Sequence, residues 1–283
     1  MFKKFYGFEK DPFNITPDSD FLYLSASHRE ALAQLTYGIE TKKGFMLMTG
    51  EVGVGKTTII NALLRQLVKT KVIPAFIFNT KVSRLNFFQL ISEELGLHKP
   101  HTKAEFLVTL NNFLITCHAK DEGPVVIIID EAHDLDDELL EEVRLLLNLE
   151  TAKEKLLQLV LSGQIELWER LKNYNLRQLR QRIVLQYQIK PLNENDTREY
   201  IDTRIKFAGG KNNMFEEKAI KNIYRYSRGV PRLVNVICTH ALISGYALGQ
   251  NYIGPKIIKE VAKDFELPGL VFSLFHWKWH KHK

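Results

Sequence analysis

The chain has 283 residues, 45% of them hydrophobic and 25% charged, proportions of a globular protein with one large or two modest domains. Net charge is +6 and the pI is near 9.1, so an anionic partner such as nucleic acid or acidic lipid is admissible, as is a solvated basic surface. Cys117 and Cys238, the two cysteines, have no metal-ligand spacing; no window reaches the ~18 apolar residues of a membrane helix; and MFKKFYGFEKDPF lacks a signal peptide's apolar stretch. A soluble protein of a reduced, cytoplasmic compartment is expected.

In chain order, residues 1–27 are aromatic and proline-containing without helical period, and Pro12 and Pro17 break any regular element. That predicts an arm lying across a globular body. From His28, HREALAQLTYGIE sets Ala31, Leu32, Leu35 and Ile39 at helical spacing. Strands and helices then alternate. GFMLMTG (44–50) reads as a buried strand, KTTIINALLRQLVKT (56–70) as a helix, IPAFIFN (73–79) as a strand, and SRLNFFQLISEELG (83–96) as a helix closed by Gly96. KAEFLVTLNNFLITCHAK (103–120) is a helix, PVVIIID (124–130) a strand and DELLEEVRLLLNLE (137–150) a helix. LLQLVLSG (156–163) and IVLQYQI (183–189) are strands. This alternation predicts an α/β fold, a largely parallel, doubly wound sheet with helices on both faces.

After Pro191 the strand pattern stops. Residues 194–210, 216–229, 231–249 and 254–266 read as helices punctuated by glycine and proline. The expected organisation is an arm (1–27), an α/β nucleotide-binding domain (28–190), a small all-helical lid domain (191–266) and a basic aromatic tail (267–283).

GEVGVGKTT, Gly50 to Thr58, fits the pattern G-x-x-x-x-G-K-S/T between a predicted strand and a predicted helix. Gly50, Gly53 and Gly55 let the loop curl, with Glu51, Val52, Val54 and Thr58 completing it, so that backbone N–H groups and the helix N-terminus face the phosphates of ATP. Lys56 is expected to reach the β- and γ-phosphates, and Thr57 to offer a hydroxyl to Mg²⁺. In VVIIIDEAHDLDD an apolar strand ends at Asp130 and Glu131, at the carboxyl edge of the sheet. Asp130 is expected to hold Mg²⁺ through water, and Glu131 to act as general base on the attacking water. Asp134 and Asp136 read as the N-terminal charges of the next helix. The letters D-E-A-H also mark a helicase class. A helicase core needs a second α/β domain with its own arginine motif, and the part of the chain after these residues is about half helical.

A phosphate-loop α/β domain followed by a helical domain resembles an AAA+ ATPase. FYGFEKDPFNITPDSDFLYLSASHREALAQLTYGI, GFMLMTGEVGVGKTT, DEAHDLDDELLEEVRLLLNLET, LLQLVLSGQIEL, LRQLRQRI and SRGVPRLVNVIC together resemble the ExeA-type, general-secretion-pathway A ATPases. That family usually carries Gln where His133 stands. The resemblance implies a sensor-1 role for Gln164, beside Ser162, toward the γ-phosphate or the water. It implies an arginine finger at Arg182 or Arg180, reaching a neighbouring subunit's nucleotide, and a sensor-2 role for Arg232. Asn79 matches the polar residue that restrains the catalytic glutamate.

Longer members of that family continue into a transmembrane helix and a periplasmic wall-binding domain, so a short stand-alone member is expected. The implied function is an oligomeric, Mg²⁺-dependent ATPase, a homo-oligomeric ring or filament. It would drive assembly of an envelope secretion, pilus or export machine from the cytoplasm, peripherally at the inner membrane. The alternative is an ATP-dependent, DNA-binding AAA+ regulator of transposition acting on double-stranded DNA. In the tail, Lys278, Lys281 and Lys283 beside Trp277 and Trp279 suit a membrane interface, a phosphate backbone or a solvated terminus. The i,i+4 pair His276 and His280 also fits a metal.

Overall fold

The computed structural model describes residues 1–14, 23–78, 80–151, 154–211 and 213–266. In chain order its elements begin α1 (Phe2–Tyr6), α2 (Ala26–Glu40), β1 (Phe45–Gly50), α3 (Lys56–Leu67), β2 (Ile73–Ile77), α4 (Arg84–Glu94), α5 (Lys103–Ala119) and β3 (Val125–Ile129). They continue with α6 (Asp137–Leu146), β4 (Leu157–Gly163), α7 (Ile165–Leu171), α8 (Arg177–Arg180) and β5 (Leu185–Ile189). Four helices close the series: α9 (Glu194–Phe207), α10 (Glu217–Ser227), α11 (Pro231–Ala247) and α12 (Pro255–Asp264). The chain divides into two compact units, Ala26–Lys190 and a second made of Met1–Ser25 with Pro191 onward.

The first unit is α/β. Its five strands lie in the order β2-β3-β4-β1-β5, every pair parallel. Parallel strands need crossovers, which put helices on the faces and bury the central strands on both sides. Hence β1 (FMLMTG), β3 (VVIII) and β4 (LQLVLSG) are buried at every position, while edge strands β2 and β5 are partly exposed. Gln158 is a buried polar residue near the start of β4, and its Oε1 accepts the Gly44 N–H at 2.6 Å. On one face Phe45, Leu47, Ile127, Ile129 and Leu159 pack with Phe88 of α4, Phe106 of α5 and Leu140 of α6. On the other, α2 comes so close to β1 that a Cβ at Gly38 would lie 2.3 Å from Met46 Sδ. The doubly wound α/β fold expected from the alternating pattern is the fold observed.

Side chains fix the starts of α4, α5 and α6 in this unit. Thr102 caps α5, and Asp136 caps α6 by accepting Leu139 N–H at 2.7 Å. Asp134 does not share that task. It closes a 3₁₀ turn, Ala132–Asp134, and faces Lys81 at 3.4 Å. Within this unit two helices had no counterpart in the sequence pattern: α7, of seven residues, and α8, of four. Both are too short to display a 3.6-residue period.

The second unit is helical, with a core of Ile201, Ile205, Ile220, Ile223, Val234, Ile237, Leu242, Ile257 and Ile258. Asn193 and Asp196 form a reciprocal capping box at the start of α9. The N-terminal arm joins this core with Tyr6, Phe8 and Phe13, and it opens with a helical turn, α1, that its sequence does not advertise. Gly7 ends that turn at φ 74°, a conformation glycine adopts without steric cost. Tyr6 donates to the carbonyls of Leu242 and Gln250 at 3.2 and 3.0 Å, and burial pushes its phenol up to about 12. The buried Arg204 guanidinium donates to the carbonyls of Pro12 (2.6 Å) and Asn14 (2.8 Å), so a charge on α9 ties down the arm's backbone. Among the described residues, no helix is long and apolar enough to cross a membrane. The tail, 267–283, lies outside the described residues.

Candidate functional site

β1 ends at Gly50 and α3 begins at Lys56, so GEVGVG is the turn between them. Gly53 and Gly55 take φ of 79° and 102°, left-handed values that an L side chain rarely adopts. His28, buried on α2, has its Nε2 2.8 Å from the Val54 carbonyl, which fixes Nε2 as the protonated, donating nitrogen. A Cβ at Gly55 would fall 2.9 Å from that nitrogen. Lys56 is buried, and its Nζ donates to the carbonyls of Gly50 and Glu51 at 3.1 Å each. Burial pushes its pKa down, opposed by the carboxylates of Glu131, Asp130 and Glu166.

Asp130 follows β3 and is buried. Its Oδ2 accepts from Thr57 Oγ1 at 2.7 Å, and its Oδ1 from Ser162 Oγ at 2.7 Å and Glu131 N at 3.0 Å. Donors from three segments therefore hold one carboxylate, which β3, β4 and the head of α3 bring together at the carboxyl ends of the strands. Glu131 has a left-handed backbone, φ 50°, and its carbonyl accepts from Thr80 Oγ1 at 3.1 Å. Non-glycine residues in this region are uncommon and concentrate at functional sites. The Glu131 side chain points to His133, Oε2 to Nδ1 3.3 Å. The other ring nitrogen of His133 meets Gln164 Nε2 at 2.7 Å. Arg170 on α7 donates to the His133 carbonyl (2.9 Å) and to Asp137 Oδ1 (2.7 Å).

The donor chemistry suits a hard cation with a nucleotide. Thr57 and Asp130 offer a hydroxyl and a carboxylate side by side, and Mg²⁺ takes one or two such oxygens, completing its octahedron with phosphate and water. Among the described residues no group of three or more His, Cys, Asp or Glu forms a protein-only cage. The Lys56 ammonium rests on loop carbonyls, oxygens that phosphate oxygens can replace.

Residues 39–171 match the family described as AAA domain. Over 256 residues, 89% of this chain, the sequence is 40% identical to General secretion pathway protein A of Aeromonas hydrophila. The matched segment is an AAA domain, and the chain as a whole is similar to part of that protein. It spans 46% of that protein's length. In fold, it matches the ORC2 protein of Aeropyrum pernix in its ADPNP–ADP complexes, with TM-score 0.67 and 15% identity over 90% of this chain and 72% of that one. Drosophila ORC bound to DNA matches with TM-score 0.69 and 19% identity, over 93% and 66% of the two chains. These likenesses show a shared fold.

Within the AAA domain, Gly50–Thr58, Asp130, Glu131, Ser162 and Gln164 gather at one edge of the sheet. Ser162 is committed to Asp130 and Gln164 to His133, so each reaches the site through another side chain. Arg180 donates to the Lys172 carbonyl at 3.4 Å and Arg182 to the Leu147 carbonyl at 3.3 Å. Arg232 is exposed in the first turn of α11, in the helical unit. Asn79 lies outside the described residues. His28, Thr80 and Arg170 were not anticipated. For His28 the available signal was a histidine at the head of a helix that directly precedes the phosphate loop's strand; for Thr80 and Arg170 there was none.

Proposed function

We propose that this chain is an Mg²⁺-dependent AAA+ ATPase, working as a homo-oligomer, that couples ATP binding and hydrolysis to assembly of a cell-envelope secretion, pilus or export machine. The observation that carries the enzymatic part is the Asp130 carboxylate, held by Thr57 and Ser162 next to Glu131 and beside the loop that curls over Lys56. The likeness to a protein named for general secretion supports the cellular part. Thr57 and Asp130 would hold Mg²⁺, which when bound neutralises charge on the β- and γ-phosphates. Lys56 exchanges its carbonyl partners for phosphate oxygens. Glu131 accepts the proton of the attacking water as the water adds to phosphorus and ADP leaves.

Two variants separate these roles. Lys56→Ala should weaken ATP binding. Glu131→Gln should bind ATP normally and lose turnover by about 10²-fold or more, the usual contribution of a general base. Wild-type hydrolysis by Glu131→Gln would remove the base assignment.

A further inference from the structure

His133 is left unused by the reading above, although it stands between Gln164 at the end of β4 and the carboxylate of Glu131. An amide nitrogen only donates. The 2.7 Å contact from Gln164 Nε2 therefore makes His133 Nε2 an acceptor and leaves the ring proton on Nδ1. That Nδ1 faces Glu131 Oε2 at 3.3 Å. Both atoms are buried, and among the described residues neither makes an aligned hydrogen bond elsewhere. A buried donor facing a buried acceptor is unfavourable until the two meet, and a small rotation of the Glu131 side chain closes the gap.

The rest of the ring's setting is fixed. Its backbone lies in the 3₁₀ turn Ala132–Asp134, whose carbonyl Arg170 clamps. Its side chain is 17% exposed against 44% for Glu131. The Glu131 backbone is held by Asp130 Oδ1 and Thr80 Oγ1, but among the described residues no aligned hydrogen bond holds its Oε2, several rotatable bonds away. A general base held a fraction of an ångström off line loses much of its effect, so something must aim it.

We propose that His133 is a positioning residue for Glu131: its Nδ1–H takes Oε2 and leaves Oε1 facing the water, while Gln164 fixes the ring in the tautomer that can do so. This rests on the reading of Glu131 as the base. A relay from the end of β4 to the base also gives Gln164 a route to influence hydrolysis without touching phosphate.

The test uses the full chain, measuring kcat, KM and the affinity for a fluorescent ATP analogue. His133→Ala should lower kcat by on the order of 10- to 100-fold while leaving nucleotide affinity within about two-fold, because orientation and not binding is lost. His133→Gln, whose amide N–H can still reach Oε2, should recover most of that loss. Gln164→Ala should lower kcat less than His133→Ala, again without a change in affinity. Wild-type kcat in His133→Ala, or equal losses in the Ala and Gln variants, overturns the proposal. If His133→Ala does not fold, Gln164→Ala decides: an unchanged kcat there overturns the relay. Glu131→Gln, run alongside, separates the two levels. A turnover unaffected in Glu131→Gln removes the base reading itself, whereas an inactive Glu131→Gln beside a fully active His133→Ala removes only the role of His133.

Discussion

At Lys56, burial favours the neutral amine while the carboxylates of Glu131, Asp130 and Glu166 favour the charged one, and burial is the larger effect. A lysine whose folded pKa lies below its unfolded value is better protonated in the unfolded chain. The resulting cost is present in full below the lowered folded value, and stability recovers as pH rises from that value toward 10.5. Phosphate binding removes the cost by supplying negative charge. Lys56→Met keeps the bulk and deletes the charge, so the nucleotide-free variant should melt at the wild-type Tm or up to about 3 °C above it at pH 7. Mg²⁺–ATP should no longer raise its Tm. A nucleotide-free Tm several degrees below wild type would show that the bonds to the Gly50 and Glu51 carbonyls outweigh desolvation. At this scale the sequence was legible where chemistry is written locally. Glycines, a lysine and a threonine stand within GEVGVGKTT, and two acids end one apolar run. Ser162 on Asp130 and Gln164 on His133 were not legible, because their partners lie 32 and 31 residues away and only the placing of β4 beside β3 joins them.

Among the elements, the buried strands announced themselves because a parallel strand covered on both faces must be apolar at every position, as VVIII is. The stretch between β4 and β5 did not, since α7 and α8 are short and polar on their outer sides. Arg180 is the last residue of α8, and Arg182 follows in the turn before β5. Each donates to a backbone carbonyl, and among the described residues neither forms an ion pair within the chain. A guanidinium spent on a single carbonyl keeps donors for a phosphate elsewhere. If these arginines complete a neighbouring subunit's site, specific ATPase activity should rise with protein concentration. Arg182→Ala should cut kcat by about 10³-fold, the effect of removing such a finger. Mixing inactive Glu131→Gln with inactive Arg182→Ala should restore part of the activity, because one mixed interface then holds both intact residues. Turnover independent of concentration, with Arg182→Ala fully active, would dismiss a shared site and leave α8 a surface element.

For the whole molecule, a net charge of +6 favours an anionic surface. Two anionic surfaces fit the charge, and they differ in what holds the protein there. Residues 267–283 carry Trp277 and Trp279 beside Lys278, Lys281 and Lys283. At an acidic bilayer each lysine adds about 1 kcal/mol, and tryptophan settles at the headgroup level. An envelope-machine ATPase should therefore pellet with phosphatidylglycerol-containing liposomes through this segment. Deleting 267–283 should abolish pelleting and leave ATPase activity in solution intact, because the phosphate loop and Asp130 lie in the α/β unit, Ala26–Lys190. A regulator acting on duplex DNA would behave otherwise: ATP would drive binding along the duplex, and log affinity would fall linearly with log salt as phosphate counterions are released. One sedimentation series answers both. Full-length and truncated protein are each spun with liposomes and with duplex DNA, with and without ATP, at two salt concentrations. Tail-dependent pelleting with liposomes supports the envelope reading. ATP-dependent, salt-sensitive pelleting with DNA and none with liposomes overturns it, and assigns the basic charge to a nucleic-acid surface.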